Sequence, residues 1–216
     1  MKAAVEGLYA VTPDIADTAE LLVKVEAALA GGARLLQYRN KRAGAALRLE
    51  QARALAALCR ARGVPLIIND HLDLATAVDA AGLHLGSEDG VFARARAQLG
   101  PDKLLGASCY DRLENALEAV RAGASYVAFG GFFPSSVKPH ARRAPIALLR
   151  EARRRLTLPV VAIGGITLDN APELIAAGAD AVAVISALFS APDIRAAAQR
   201  FSALFPRRER EMGIGK

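Results

Sequence analysis

Hydrophobic residues along the chain form eight short runs, and each run is followed by a stretch in which Ala and Leu recur at helical spacing. The runs are almost continuously apolar, which is typical of parallel strands that are covered on both faces. We predict strands over 7–12, 33–39, 65–70, 82–86, 103–110, 125–133, 159–166 and 180–189. We predict helices near 17–31, 45–62, 71–80, 90–99, 111–122, 145–156, 168–177 and 192–205.

The predicted helices begin at Asp, Thr or Pro and commonly end at Gly, which supports these boundaries. Eight strand–helix units in one 216-residue chain predict an α/β fold, a single (β/α)8 TIM barrel. A doubly wound sheet would need only about five or six strands. We assign residues 1–206 to the barrel domain and 207–216 to a frayed C-terminal tail.

Polar residues of the strands lie almost entirely at their carboxyl ends, where the active sites of such barrels are found. After the second strand, Gln37, Arg39 and Lys41 occupy alternate positions, so their side chains should leave one face together. With Lys138 they supply an amide and three cations. A multiply charged anion such as a diphosphate would balance this charge, and salt bridges to loop acids are the alternative.

Two acids and two glycine-containing loops complete the predicted site. Asp70 and Asp89 end neighbouring strands, and their oxygens suit Mg²⁺; alternatively each caps the next helix, and Asp73 competes for either role. The segments "AIGGI" and "VISALF" after the seventh and eighth strands predict a phosphate site at backbone N–H groups and a helix N-terminus. The alternative is that the glycines only allow close packing.

Composition excludes several other classes. The net charge is +6, but the basic residues are interspersed with acids and lack an aromatic platform, which argues against nucleic-acid binding. No apolar run reaches the roughly 18–20 residues of a membrane span, and the N-terminus does not resemble a signal peptide. Cys59 and Cys109 form no CxxC motif, so we expect a reducing, cytoplasmic location. We expect Cys59 and His84 to be internal, whereas Cys109 could line the site.

Seven segments occur together and in order: "QYRNK", "IINDHLDLA", "GLHLGSED", "GASCY", "FFPSSVKP", "AIGGI" and "VISALF". On these motifs the chain resembles the thiamine-phosphate synthase family over roughly residues 7–203. The resemblance implies a Mg²⁺-dependent transferase. Such an enzyme couples 4-amino-2-methyl-5-(diphosphooxymethyl)pyrimidine with 4-methyl-5-(2-phosphooxyethyl)thiazole, giving thiamine phosphate and diphosphate.

The resemblance also implies roles for individual residues. Those expected to bind the pyrimidine diphosphate are Gln37, Tyr38, Arg39, Asn40, Lys41, Asn69, Ser108 and Lys138, and among them Arg39, Lys41, Lys138 and Ser108 would promote catalysis. Asp70 and Asp89 would hold Mg²⁺. The thiazole phosphate would bind at Ser135, Ser136, Val137, Gly165, Ile185 and Ser186. Val137 stands where many relatives have a hydroxyl residue, and Tyr110 stands where His is frequent. The motifs therefore do not predict how tightly the substrates bind.

Three other functions fit parts of the pattern. A thiazole tautomerase-like isomerase would share the thiazole end but would not need the diphosphate set. A Schiff-base aldolase would require Lys138 in an apolar pocket, and its surroundings are polar. A non-enzymatic barrel that binds a phosphate ligand would not need the acids. The apolar helix faces also allow a homodimer.

Overall fold

The computed structural model describes residues 5–86, 91–134 and 143–205. Eight parallel strands close into a barrel in chain order, which confirms the predicted fold. The strands are β1 (Gly7–Val11), β2 (Leu35–Tyr38), β3 (Leu66–Asn69), β4 (Gly82–Leu85), β5 (Leu104–Tyr110), β6 (Tyr126–Gly130), β7 (Val160–Ile163) and β8 (Ala181–Val184). The helices are α1 (Thr18–Ala30), α2 (Ala45–Arg62), α3 (Leu72–Ala77), α4 (Val91–Leu99), α5 (Leu113–Arg121), α6 (Ala147–Arg155), α7 (Ala171–Ala176), α8 (Ser186–Phe189) and α9 (Ile194–Ala203).

Each predicted helix and strand is present, α2 with the predicted bounds and the others shorter at one or both ends, but the eighth strand was predicted much too long. β8 ends at Val184, and the apolar run continues into the short helix α8, where Leu188 and Phe189 are buried. A continuous apolar run buries equally well as strand or helix, so its hydrophobicity does not mark the transition. The predicted C-terminal tail lies outside the described residues.

Alternation along the strands divides the buried residues into two layers. One cluster fills the barrel interior and includes Tyr9, Leu35, Ile67 and Tyr126. The other, larger cluster lies between the strands and the surrounding helices. Side chains alternate across a strand, so the residue two positions after an interior residue also faces the interior. It lies one layer closer to the barrel mouth at the carboxyl ends of the strands.

Local signals fix the ends of several helices. The Asp17 carboxylate caps α1 by accepting a hydrogen bond from the Glu20 N–H at 2.7 Å, and Asp193 caps α9 in the same way. Gly63 ends α2 with a left-handed backbone, φ 64°, which favours glycine. These contacts orient helices around the barrel and leave the strand ends free for the site.

Both cysteines are free and buried, and both pack in the layer between strands and helices. Burial raises the pKa of each thiol to about 12. Cys59 is internal as predicted. Cys109 lies on the opposite face of β5 from the inward-facing Ser108, so the expectation that it could line the site is wrong. In the described part of the chain, none of the helices is long and apolar enough to cross a membrane.

Candidate active site

A cavity of about 530 Å³ opens at the carboxyl ends of the strands, a size typical of small-molecule sites. All eight strands or the loops directly after them contribute to its wall. Five residues that the sequence predicted for the site line this cavity: Gln37, Arg39, Asn69, Ser108 and Ile185. The cavity therefore lies at the carboxyl-end mouth of the barrel, where the polar strand ends were predicted to meet.

Arg39 is held at the cavity by the loop after β1. The buried Thr12 hydroxyl donates to the Arg39 carbonyl at 3.0 Å, and the same oxygen accepts from the Arg39 N–H at 2.9 Å. The Asp14 carboxylate lies 3.6 Å from the Arg39 guanidinium and accepts from the backbone N–H of Lys41 at 3.0 Å. The alternative of a salt bridge to a loop acid is thus realised for Arg39, which nevertheless lines the cavity.

The neighbours of Arg39 are placed differently from expectation. Lys41 is exposed on the loop after β2 and does not line the cavity. The Tyr38 hydroxyl and the Asn40 amide both donate to Gln51 Oε1 on α2, at 2.8 and 3.1 Å. These two side chains bind the loop to α2, and their contact with a substrate stays a prediction. The outward orientation of Tyr38 follows from strand alternation, since the residue after an inward position faces outward.

Five uncharged side chains form a hydrogen-bonded chain across the barrel beneath the cavity, and we call it the floor chain: Gln37, Tyr9, Tyr126, His84 and Ser108. Gln37 Nε2 donates to the Tyr9 hydroxyl at 3.0 Å, and the Tyr9 and Tyr126 hydroxyls lie 2.8 Å apart. The Tyr126 hydroxyl lies 3.0 Å from His84 Nδ1, and His84 Nε2 lies 2.9 Å from Ser108 Oγ. The prediction that His84 is internal with a local hydrogen bond is confirmed.

Burial keeps the floor chain uncharged. Desolvation lowers the pKa of His84 from 6.5 to about 4, despite an opposing effect of Asp70. Burial also raises the pKa of the Tyr9 and Tyr126 hydroxyls well above the ordinary value of a phenol. At neutral pH the imidazole and both phenols are therefore neutral.

Asp70 directly follows β3, beside the cavity. Its Oδ2 accepts a hydrogen bond from Asn69 Nδ2 at 2.7 Å, and its backbone has a positive φ of 63°. The N-cap of α3 is His71 and not Asp70, so the capping alternative is wrong for this residue. The exposed Asp70 side chain lines a cleft next to the cavity, together with Arg48, Asp73 and other residues.

The donor set at Asp70 fits a hard cation, because a carboxylate oxygen at an exposed strand end is the ligand type that Mg²⁺ prefers. Within residues 5–86, 91–134 and 143–205, no three His, Cys, Asp or Glu side chains cluster as a metal site. The second predicted ligand, Asp89, lies outside the described residues.

A smaller recess of about 180 Å³ adjoins the cavity and contains Gly165, Ile185 and Ser186, which were predicted to bind phosphate. Gly165 has φ +65°, and a Cβ there would lie 2.7 Å from the Phe133 carbonyl oxygen. This glycine allows the loop after β6 to approach the loop after β7 closely, so the packing alternative also holds. The other predicted residues of this loop, Ser135, Ser136, Val137 and Lys138, lie outside the described residues.

Residues 8–188 match the family model described as thiamine monophosphate synthase. The chain belongs to this family. It is 60% identical over 201 residues to the thiamine-phosphate synthase of Methylobacillus flagellatus, covering 93% of this chain and 96% of the relative. It is 56% identical over 203 residues to that of Nitrosospira multiformis, covering 94% and 87%.

Solved structures agree with this assignment. The thiamine phosphate pyrophosphorylase from Pyrococcus furiosus is 37% identical, with a TM-score of 0.82, and the match covers 92% of this chain and 94% of that one. A 3-hexulose-6-phosphate synthase, at 19% identity and a TM-score of 0.70, shows only that the barrel fold is shared.

Within this thiamine monophosphate synthase fold, the structure adds residues that were not predicted for the site. Tyr9, His84, Arg112, Asn115 and Arg143 all line the cavity. His84 carried a sequence signal, because it is a polar residue at an inward position near the carboxyl end of β4, whereas Tyr9 lies at the centre of the hydrophobic strand β1. Arg112 and Arg143 lie in loops outside the strands, where no periodicity marks direction. They supply cationic groups to the cavity wall where Lys41 was expected.

Proposed function

We propose that this chain is a thiamine-phosphate synthase that couples the pyrimidine diphosphate with the thiazole phosphate named above. The observation that carries the proposal is the combination of two joined recesses. The larger is walled by Arg39, Arg112 and Arg143, which suit a diphosphate. The smaller contains a glycine loop and Ser186, which suit a single phosphate. The names of the relatives support the same activity.

The proposed reaction is a displacement at the pyrimidine methylene carbon. The C–O bond to diphosphate breaks, and diphosphate leaves with the electron pair while the electron-rich aminopyrimidine stabilises the carbocation. The thiazole nitrogen then donates its lone pair to that carbon and forms the C–N bond. Negative charge grows on the leaving group, so Arg39 stabilises the transition state more than the ground state.

No enzyme nucleophile is needed for this chemistry, and the described residues agree with that. Both thiols lie outside the cavity with raised pKa values. The His84 imidazole is engaged at both nitrogens by hydroxyl groups. The polar groups of the cavity are therefore arranged to bind and to stabilise charge.

The two recesses share part of their walls, which supports binding of the two substrates next to each other. Pro134, Ile163, Gly164, Ala183 and Ile185 line both. A thiazole whose phosphate occupies the smaller recess would therefore direct its ring toward the larger one. Holding the thiazole nitrogen beside the electrophilic carbon would lower the entropic cost of bringing the two reacting atoms together.

Mg²⁺ is part of the proposal, with Asp70 and Asp89 as its ligands. When bound, the ion would neutralise charge on the diphosphate. Asp70 contributes a carboxylate that Asn69 orients by the 2.7 Å hydrogen bond. Excess chelator should abolish synthesis, and added Mg²⁺ should restore it.

The test is to incubate the purified protein with both substrates and Mg²⁺ and to measure thiamine phosphate and diphosphate. Stoichiometric formation of both products is expected. A folded protein that binds thiazole phosphate but forms no product would refute the synthase and favour an isomerase or a binding barrel. We propose the cytoplasm as its compartment, which suits two free thiols.

Arg39→Ala tests whether the larger cavity binds the diphosphate while the smaller recess binds the thiazole phosphate. We expect it to reduce kcat by about 10²-fold or more, by analogy with loss of one oxyanion donor, while thiazole phosphate binds nearly as before. Arg34→Ala is the matched control, because Arg34 precedes the same strand at the other end of the barrel and pairs with Glu6 at 2.7 Å. Equal loss of both ligands in Arg39→Ala would contradict the assignment.

A further inference from the structure

The floor chain has a consequence for the Ser108 hydroxyl. We propose that the chain carries its hydrogen bonds in one direction, from Gln37 to Ser108, and that Tyr126 is a positioning residue that makes Ser108 donate into the cavity. Tyr126 itself does not line the cavity, unlike the other four members. The kinetic part of this inference rests on the proposed synthase function, whereas the direction of the chain does not.

The direction follows from counting donors and acceptors. Gln37 Nε2 donates to Tyr9, so the Tyr9 oxygen accepts and its own proton needs an acceptor. Among the described residues, Tyr9 has one remaining hydrogen-bond partner, the Tyr126 oxygen at 2.8 Å. The Tyr9 proton therefore points to Tyr126, and the Tyr126 proton must point to His84 Nδ1.

A neutral imidazole carries one proton, and accepting at Nδ1 places it on Nε2. His84 Nε2–H then donates to Ser108 Oγ at 2.9 Å. Ser108 is left with its own O–H, which is free to point into the cavity. With Gln37 Nε2 facing Tyr9, the reverse direction would leave the buried Tyr9 hydroxyl without an acceptor, at a cost of about 1–3 kcal/mol.

The backbone is shaped to admit this chain. Gly106 occupies the inward position of β5 that precedes Ser108, and a Cβ there would lie 2.5 Å from His84 Nδ1. The same Cβ would collide with the Tyr126 hydroxyl. The space in which Tyr126 meets His84 thus exists because residue 106 has no side chain.

A fixed Ser108 donor suits a reaction in which an anion leaves. A hydroxyl that already points to the developing charge needs no reorientation during the reaction, whereas a freely rotating one must be ordered. Tyr126 acts through His84 and not by contact with substrate. Removing its hydroxyl should therefore lower kcat while leaving the smaller recess intact.

The tautomer of His84 is the direct test, and it requires no catalysis. The chain has three histidines, so ¹⁵N-labelled imidazoles can be assigned by NMR. We expect His84 in the native protein to carry its proton on Nε2, and we expect Tyr126→Phe to lose this preference. A spectrum of the native protein that shows the His84 proton on Nδ1 would overturn the proposal. This measurement requires no variant.

Ser125→Ala is the matched control. It also removes one hydroxyl, from the residue directly before Tyr126, but that hydroxyl accepts from the Leu105 N–H at 3.1 Å at the opposite end of the strands from the cavity. The His84 tautomer and kcat should stay as in the native protein. Any comparable effect in this control would show that the Tyr126 result reflects general loss of stability.

Kinetics and binding complete the test. We expect Tyr126→Phe to lower kcat about tenfold or more, with KM for thiazole phosphate unchanged, and to weaken binding of inorganic diphosphate with Mg²⁺. An unchanged tautomer together with unchanged kcat would refute the role of Tyr126. If the native protein forms no thiamine phosphate, the proposed function fails, and the native spectrum still decides the direction of the chain.

Discussion

Gly106→Ala is the most direct perturbation of the barrel interior, because it adds one methyl group where the floor chain passes. The new Cβ would lie 2.5 Å from His84 Nδ1 and closer still to the Tyr126 ring and hydroxyl. Both partners are buried, and the Tyr126 ring is completely so. Neither side chain can move away without displacing its neighbours.

The cost has two parts. Overpacking of a well-packed interior typically destabilises by about 1–3 kcal/mol. Displacing Tyr126 also breaks its hydrogen bonds with Tyr9 and His84, each with a net contribution of roughly 1 kcal/mol. We therefore expect the free energy of unfolding to fall by about 3–5 kcal/mol, a large part of the roughly 5–15 kcal/mol of a typical domain.

Urea unfolding followed by circular dichroism measures this change. Gly44→Ala is the control, since a Cβ at Gly44 meets nothing within 4 Å and Gly44 only caps α2 without a side-chain bond. Its effect should stay within about 1 kcal/mol. A loss in Gly106→Ala no larger than in this control would show that the interior is not tightly built around residue 106.

Four further outcomes are expected. Asp14→Asn should raise KM for the pyrimidine diphosphate roughly two- to fivefold, because Asp14 pairs with Arg39; an unchanged KM would contradict that positioning role. Asp17→Ala should lower the free energy of unfolding by about 1 kcal/mol through loss of the α1 cap, measured by denaturation. Cys59 and Cys109 should resist alkylation at pH 8 in the native protein, because burial raises the pKa of both, and modification without unfolding would refute this. In urea both thiols should react fully.

The alternation of side chains along β2 predicted their directions within the strand and for the residue directly after it. It placed Gln37 and Arg39 at the cavity because both continue the inward face of β2. It failed for Lys41, which lies three residues beyond the end of β2 at Tyr38 in a loop whose backbone bonds to Asp14. The loop direction is then set by contacts with Asp14 and Gln51, which no local pattern reveals.

The floor chain could not be predicted from sequence for a different reason. Tyr9 and Tyr126 are 117 positions apart, and each sits in a run that shows only hydrophobic character. Their hydroxyls meet because barrel closure brings β1 and β6 across from each other. Gly106 carries no distinguishing signal either, since its role depends on which side chains face it.

The distribution of charge at the site also predicts how the pyrimidine diphosphate is oriented in the cavity. Every titratable member of the floor chain has its pKa shifted toward the neutral form, so the floor offers hydrogen bonds without net charge. The cations Arg39, Arg112 and Arg143 line the cavity wall, and the last two are exposed. Burying a diphosphate against the neutral floor would leave its charge uncompensated, which is costly. We therefore expect the pyrimidine ring to lie over the floor chain and the diphosphate to face the arginines, with the reacting carbon between them and the Ser108 hydroxyl, at the end of the chain, next to the departing oxygen.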